Sequence, residues 1–180
     1  MITILRLMLV PAVVYWLLGK EWQLAFAGFL VAGISDAVDG FVARHFNQRS
    51  KLGGYLDPMA DKLLLVSVFV VLGIIGELPL WLVVAAVSRD ALIICAVLLA
   101  TVMGQPVEMK PLPVSKANTA AQIVLVAVVL AELAFATDFG AIRPGLIVLS
   151  GLLTIASAGA YLITWSRHMN KDGERGPHAG

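Results

Sequence analysis

Four aspartates lie close together in a charged part of an otherwise apolar chain. They form two pairs, Asp36-x2-Asp39 and Asp57-x3-Asp61, whose members are three and four residues apart. This spacing places both members of a pair on one face of a helix. Carboxylates that converge in or near a low dielectric repel each other unless they are protonated or bound to cations. The two pairs therefore predict a cation site rather than a bare acidic cluster.

The donor atoms indicate which cation to expect. Carboxylates are hard oxygen ligands, and no cysteine stands near them in the sequence, so we expect Mg²⁺ or Mn²⁺. Two divalent ions would roughly balance four carboxylates and would still attract phosphate oxygens. We predict two such ions and a diphosphate-bearing substrate.

The residues between the two pairs fit that substrate. Gly40 and Ala43 continue the face of the first pair and remove side-chain bulk, so a ligand can approach the helix backbone. Arg44 can make bidentate contacts to phosphate. Gly53 permits a close approach or an unusual turn where the chain re-enters the next helix.

Several of these residues also have a simpler explanation. Gly40 and Ala43 have the small-residue character that packs membrane helices together. Asp57 could be a helix N-cap, because Pro58 follows at a favourable first helical position. Intramembrane aspartates also serve as relays, so a small ion transporter is an alternative function. The joint occurrence of the residues at fixed spacing favours the phosphate site.

The elements that must position these residues are apolar helices. Hydrophobic residues make up 59% of the 180 residues, charged residues 14%, and the mean hydropathy is +0.90. The uncharged run from Pro144 to Ser166 has no polar face and is long enough to cross a bilayer. We therefore predict an all-α integral membrane protein. Its six transmembrane helices are expected near residues 2–19, 22–44, 56–76, 79–103, 115–136 and 144–167.

The charge distribution predicts the topology. With an even number of spans, one side collects Arg44, Arg49, Lys51, Lys110, Arg167, Lys171 and Arg175. The other side holds Lys20 and Arg143 with most of the glutamates, so the positive-inside rule places both termini in the cytoplasm. We expect residues 1–168 to form one transmembrane domain and residues 169–180 to be a disordered cytoplasmic tail. No nucleic-acid partner is expected.

At every defined position, these residues resemble the signature of the CDP-alcohol phosphotransferase family: Asp36, Asp39, Gly40, Ala43, Arg44, Gly53, Asp57 and Asp61. The resemblance implies the six-helix fold of that family, usually a homodimer, with an active site at the cytoplasmic membrane interface. Family members transfer a phosphatidyl or related group from a CDP-linked donor to an alcohol and release CMP. Because the first span starts almost at Met1, we expect most of the family's interfacial N-terminal segment to be missing.

The resemblance also implies roles for individual residues. The four aspartates would bind a dinuclear divalent-metal site, and Asp61 would also be the base for the acceptor hydroxyl. The CDP portion of the donor would be held by Asp36, Gly40, Ala43, Arg44 and Gly53.

Other parts of the chain resemble the eukaryotic-type cardiolipin synthases, which are also found in bacteria. They are "ARHFNQRSKLGGYLDPMADK", "SRD" at Ser88 to Asp90, "VSKANTAAQIVLVAVVLA" from Val114, and "ASAGAYL" from Ala156. This resemblance implies transfer from CDP-diacylglycerol to phosphatidylglycerol among the lipids of a bacterial inner membrane. Phosphatidylglycerophosphate synthases, which use glycerol 3-phosphate, share much of the pattern and are the alternative.

An anionic acceptor requires cations in the cytoplasmic half of the bundle. The candidates are Arg6, Arg49, Arg89 and Lys116. For Arg89, an ion pair with Asp90 or with a neighbouring helix is an equal alternative. For Lys116, the alternative is a snorkelling interfacial anchor.

Overall fold

A computed structural model describes residues 2–46, 53–102 and 113–173, with side chains at 8–35, 62–95 and 113–161. These ranges contain helices and no strand. The six helices are α1 (Ile2–Leu18), α2 (Trp22–Phe46), α3 (Gly53–Ile74), α4 (Leu80–Val102), α5 (Pro113–Phe135) and α6 (Ile142–Gly173). The six predicted helices are thus confirmed as helices within the described ranges.

The last helix is longer than the sequence predicts. It continues to Gly173, past the expected end of the span at residue 167 and past the expected domain end at 168. The rest of the predicted tail, 174–180, lies outside the described residues. Apolar length sets where a helix can lie in a bilayer, but a helix can continue into polar sequence beyond it.

The helices pack around a core to which α1 to α5 contribute. α1 lies against α2 and α3, α5 lies against α2, α3 and α6, and α4 lies against α3 and α6. Between α2 and α5, the rings of Phe26 and Phe135 meet edge to face, with centroids 5.6 Å apart. The largest fully buried apolar side chains are Phe69, Leu17, Leu72, Leu82, Leu125, Leu130, Val13, Val68, Val126 and Val129. α3 and α5 each contact three other helices.

The outer surface of the bundle is apolar. Tyr15 is 74% exposed, Ile74 70% and Ile155 67%, and many other large apolar side chains face outward. Among the residues whose side chains are described, two helical segments, Pro113–Phe135 and Ile142–Tyr161, are long and apolar enough to cross a membrane by length and composition. Shorter apolar segments accompany them at Met8–Leu18, Trp22–Ser35 and Lys62–Ile74. These features indicate a helical membrane protein, because an aqueous surface rarely carries so much contiguous apolar area.

A charged cluster connects the α3–α4 turn to the α5–α6 turn at one end of the bundle. Arg143, at the start of α6, lies 2.9 Å from the carboxylate of Glu77 and 3.1 Å from that of Glu132. The Glu132 carboxylate also accepts a hydrogen bond from the backbone N–H of Phe139 at 3.1 Å. Glu77 follows the last turn of α3, whereas Asp57 and Asp61 lie near its first turns. The cluster therefore marks the end of the bundle opposite the aspartate motif.

Two glycines of α2 provide a test of the packing between α1 and α2. A Cβ at Gly28 would lie 2.9 Å from both Val13 Cγ2 and Trp16 Cζ3, whereas one at Gly33 would meet nothing within 4 Å. We expect Gly28→Ala to lower the midpoint of thermal unfolding, because overpacking costs about 1–3 kcal/mol. Alanine's higher helix propensity offsets only about 0.5–1 kcal/mol of that cost.

Gly33→Ala is the matched control. It retains only the gain in helix propensity, so its midpoint should equal or exceed that of the unmodified protein. Heating the detergent-purified variants and measuring the folded fraction by size-exclusion chromatography checks both expectations. Equal midpoints for the two variants would contradict the close approach at Gly28.

Candidate active site

The four aspartates of the motif lie on two helices. Asp36 and Asp39 fall within α2, and Asp57 and Asp61 fall within α3. Both helices are continuous through these positions, so three- and four-residue spacing places each pair on one helical face, as predicted. The four side chains themselves lie outside the described side chains.

The start of α3 excludes one of the simpler explanations. The helix begins at Gly53, four residues before Asp57. An N-cap precedes the first helical residue, and uncertainty in a helix boundary is about one or two residues. Asp57 is therefore not the cap of α3, and Pro58 is not at its first position. The alternative that Asp57 serves only as a cap is wrong.

The donor set of the motif fits hard divalent cations. Two helical pairs of carboxylates supply oxygen ligands of the kind that Mg²⁺ and Mn²⁺ prefer. Among the side chains that the structure describes, no three His, Cys, Asp or Glu side chains are grouped to hold a metal. The four aspartates of the motif are chemically suited to hold such ions.

A buried cationic cluster is centred on Arg89 of α4. The Arg89 side chain donates to Ser157 Oγ of α6 from Nε at 3.1 Å and from Nη2 at 2.7 Å. Nη2 also donates to Ser115 Oγ of α5, and Nη1 pairs with Asp90 Oδ1. The guanidinium carbon lies 5.8 Å from the centre of the Tyr161 ring, within cation–π range. Arg89 is only 3% exposed, so it connects α4, α5 and α6 from inside the bundle.

The cluster extends to the helix that carries the second aspartate pair. Lys62 Nζ of α3 lies 2.9 Å from Asp90 Oδ1, the same oxygen that accepts from Arg89. Lys62 directly follows Asp61 in the sequence. Two cations and one carboxylate leave the group with one net positive charge, which attracts an anion at a site partly shielded from water.

A polar seam continues from this cluster along the interface of α5 and α6. Thr154 Oγ1 donates to Asn118 Oδ1 at 3.0 Å, and both side chains are buried. Among the described residues, Asn118 Nδ2 and Ser150 Oγ are buried without a hydrogen-bond partner. The seam consists of Ser115, Asn118 and Gln122 on α5 and Ser150, Thr154 and Ser157 on α6. Buried polar groups in an apolar bundle are costly, so such a seam is typical of a functional region.

Comparison with known proteins identifies the family. The sequence profile of CDP-alcohol phosphatidyltransferases matches residues 1–163. The chain belongs to the CDP-alcohol phosphatidyltransferase family. Members of this family generally use divalent metal ions, which agrees with the donor set of the motif.

Curated relatives of this chain include two proteins named as cardiolipin synthases. A human protein named cardiolipin synthase (CMP-forming) is 35% identical over 151 residues, which cover 75% of this chain and 50% of the relative. A Schizosaccharomyces pombe cardiolipin synthase (CMP-forming) / mitochondrial hydrolase fusion protein is 31% identical, covering 94% of this chain and 31% of the relative. The chain thus spans half or less of the length of these two relatives.

A third relative carries a different name. A CDP-diacylglycerol–glycerol-3-phosphate 3-phosphatidyltransferase of Blochmanniella floridana is 39% identical over 74 residues, or 39% of each chain. Its match covers a smaller share of this chain than the matches of the two proteins named as cardiolipin synthases.

The four predicted acceptor-binding cations lie in different environments, and the structure describes the side chains of only two of them, Arg89 and Lys116. Arg89 makes the ion pair with Asp90 that the sequence offers as an alternative. Lys116 is exposed on α5, next to Ser115. Arg6 lies on α1 outside the described side chains, and Arg49 lies outside the described residues.

Two residues of the cluster, Lys62 and Ser157, were not predicted from the sequence. Lys62 received no role, although it directly follows the motif. Ser157 lies in "ASAGAYL", a segment recognised only by resemblance. The spacing of Ser150, Thr154 and Ser157 on an otherwise apolar helix is the signal that could have indicated a polar face.

Proposed function

We propose that this phosphatidyltransferase is a cardiolipin synthase that transfers the phosphatidyl group of CDP-diacylglycerol to phosphatidylglycerol. The products are cardiolipin and CMP. The observation that carries this proposal is the convergence of "SRD", "VSKAN" and "ASAGAYL" on the Arg89 cluster beside α3. These segments carry the resemblance to cardiolipin synthases, and curated relatives with that name support the same reading.

The motif residues take the roles that the family resemblance implies. We propose two Mg²⁺ or Mn²⁺ ions, held by Asp36, Asp39, Asp57 and Asp61. When bound, such ions supply positive charge against the donor diphosphate and the departing CMP. The CDP portion is held by Asp36, Gly40, Ala43, Arg44 and Gly53.

The transfer requires one proton to move. The hydroxyl oxygen of the acceptor forms a new bond to the phosphorus next to diacylglycerol, and the bond between that phosphorus and the CMP oxygen breaks. Asp61 takes the proton of the attacking hydroxyl, and CMP leaves with the bonding electrons. The planar guanidinium of Arg44 donates hydrogen bonds to the phosphate oxygens of the donor.

The net positive charge of the Arg89 cluster supports an anionic acceptor. Phosphatidylglycerol is a lipid with one negatively charged phosphodiester, which a positively charged cluster can attract. The apolar outer surface of the bundle suits an acceptor that diffuses in from the bilayer. Lys116, Arg6 and Arg49 are the other proposed acceptor-binding cations. Glycerol 3-phosphate is also anionic, and the Blochmanniella relative favours it as the second candidate acceptor.

We propose that all six helices span a bacterial inner membrane. The charge distribution supports an orientation with the active site and both termini facing the cytoplasm. The Arg143 cluster then lies at the opposite face of the membrane. Residues 1–168 form the transmembrane domain, residues 169–180 form a cytoplasmic tail, and the resemblance supports a homodimer.

An acceptor assay tests this function. Purified protein with CDP-diacylglycerol, Mg²⁺ or Mn²⁺, and phosphatidylglycerol should release CMP and form cardiolipin, detected by chromatography and mass spectrometry. Chelation with EDTA should abolish both products, and added Mg²⁺ or Mn²⁺ should restore them. CMP release only with glycerol 3-phosphate would identify a phosphatidylglycerophosphate synthase. No CMP release with any alcohol, with metal present, would contradict the proposed reaction.

A further inference from the structure

Asp90 connects the second aspartate helix to the rest of the cluster. Its Oδ1 atom accepts from Lys62 of α3 at 2.9 Å and from Arg89 of α4. Arg89 in turn donates to Ser115 of α5 and Ser157 of α6. A single carboxylate oxygen therefore couples α3 to three other helices.

The ion pair between Lys62 and Asp90 is partly exposed to solvent. The side chains of Lys62 and Asp90 are 36% and 14% exposed, so solvent screens their ion pair. Exposed ion pairs contribute at most about 1 kcal/mol to the free energy of unfolding. Loss of Lys62 from the pair should therefore leave the bundle folded, whereas Asp90→Asn also removes the counter-charge of the buried Arg89. The pair contributes to the rotation of α3 about its own axis at Lys62, in addition to the apolar packing of Leu64, Leu65 and Val68.

That rotation also sets the neighbouring residues of the helix. Asp61 immediately precedes Lys62, and Asp57 lies one helical turn earlier on the same continuous helix. A rotation of α3 at Lys62 therefore moves both aspartates relative to α2. Displacements of about 1 Å in a catalytic constellation can cost about a hundredfold in rate.

We propose that Asp90 is a positioning residue, which holds Lys62 and thereby sets the rotational position of the aspartates of α3. This inference rests on the proposed function for its effect on catalysis. Asp90 itself touches neither substrate nor reacting atoms in this proposal. It acts through Lys62, and Arg89 fixes Asp90 in turn.

The test uses Asp90→Asn, Lys62→Met, Lys62→Arg and the double variant Asp90→Asn/Lys62→Met. Asparagine keeps the size and the acceptor oxygen of Asp90, so the contact to Arg89 survives in weaker form. We expect Asp90→Asn and Lys62→Met each to lower kcat about fivefold, the factor that corresponds to the loss of an ion pair worth about 1 kcal/mol. KM for phosphatidylglycerol should change less than about threefold in Asp90→Asn, which keeps both cations of the cluster, and should rise in Lys62→Met, which removes one of them.

Two further comparisons separate positioning from a general structural role. Lys62→Arg should restore most of kcat, because a guanidinium can still pair with Asp90. The double variant should be no worse than either single variant, as expected for two residues that act through one contact. Glu77→Gln is the matched control, because it weakens an ion pair at the opposite end of the bundle and should leave kcat unchanged.

Binding of Mn²⁺ without substrate gives an independent readout. Titration followed by electron paramagnetic resonance should show up to about fivefold weaker binding in Asp90→Asn and Lys62→Met, and unchanged binding in Lys62→Arg and Glu77→Gln. Unchanged kcat and Mn²⁺ affinity in Asp90→Asn would overturn the inference, as would a loss confined to KM for phosphatidylglycerol. If the unmodified protein releases no CMP, the proposed function fails, and the Mn²⁺ titrations still decide the role of Asp90.

Discussion

Asp61→Asn is expected to abolish phosphatidyl transfer while the protein remains folded. An amide cannot take the proton of the acceptor hydroxyl, and loss of a general base alone costs about 10²- to 10⁴-fold. The same substitution removes one of the four negative charges that the proposed metal site requires. CMP release from CDP-diacylglycerol and phosphatidylglycerol should therefore fall at least about 10³-fold at saturating Mg²⁺ or Mn²⁺.

Asp138→Asn provides the matched control for this substitution. Asp138 lies in the turn between α5 and α6, where its Oδ1 accepts from the backbone N–H of Gly140 at 2.7 Å. Asparagine keeps that acceptor oxygen, and the site is at the opposite end of the bundle, so activity should match the unmodified protein. Asp61→Asn should also keep the thermal midpoint of the unmodified protein. Retained CMP release in Asp61→Asn would remove Asp61 as the base.

The helices were predictable because their ends are marked locally. Lys20 and Glu21 interrupt the apolar sequence between α1 and α2, and Pro79 precedes α4. Such charges and breakers are visible without tertiary structure. The start of α3 was less predictable, because Gly53 precedes the apolar part of the helix and has poor helix propensity. Apolar length likewise did not indicate that α6 continues to Gly173.

The geometry of the aspartate motif could be predicted from the sequence, whereas the contacts of the Arg89 cluster could not. Each aspartate pair lies within one helix, so its geometry follows from spacing alone. Arg89 and Ser157 are 68 residues apart, and their contact depends on how α4 and α6 pack. The same holds for the contact between Lys62 and Asp90. Spacing therefore predicted the candidate chemistry, whereas tertiary packing was needed to find the residues that support it.

The effect of Arg89→Met on stability is expected to be the largest among these variants. Four hydrogen bonds from the buried guanidinium connect Asp90, Ser115 and Ser157. Methionine fills a similar volume but leaves these polar groups without their donor. Removing one partner of a buried ion pair costs about 3–5 kcal/mol, and here Lys62 still pairs with Asp90, so the lower part of that range applies. The midpoint of thermal unfolding should then fall by roughly 10 °C.

Comparison of Arg89→Met with Arg89→Lys and Lys116→Met shows whether Arg89 acts as an internal link, connecting the helices by hydrogen bonds, or binds the acceptor. Lysine keeps a charge for Asp90, but one ammonium group cannot reproduce the planar donor fork that reaches both serines, so an intermediate midpoint is expected. Lys116 is exposed, so its substitution should leave the midpoint unchanged while raising KM for phosphatidylglycerol if it binds the acceptor. Size-exclusion chromatography after heating measures stability, and CMP release at varied phosphatidylglycerol measures KM. A normal midpoint in Arg89→Met, together with a raised KM, would instead make Arg89 a direct ligand of the acceptor, because an internal link cannot be removed without a cost in folding.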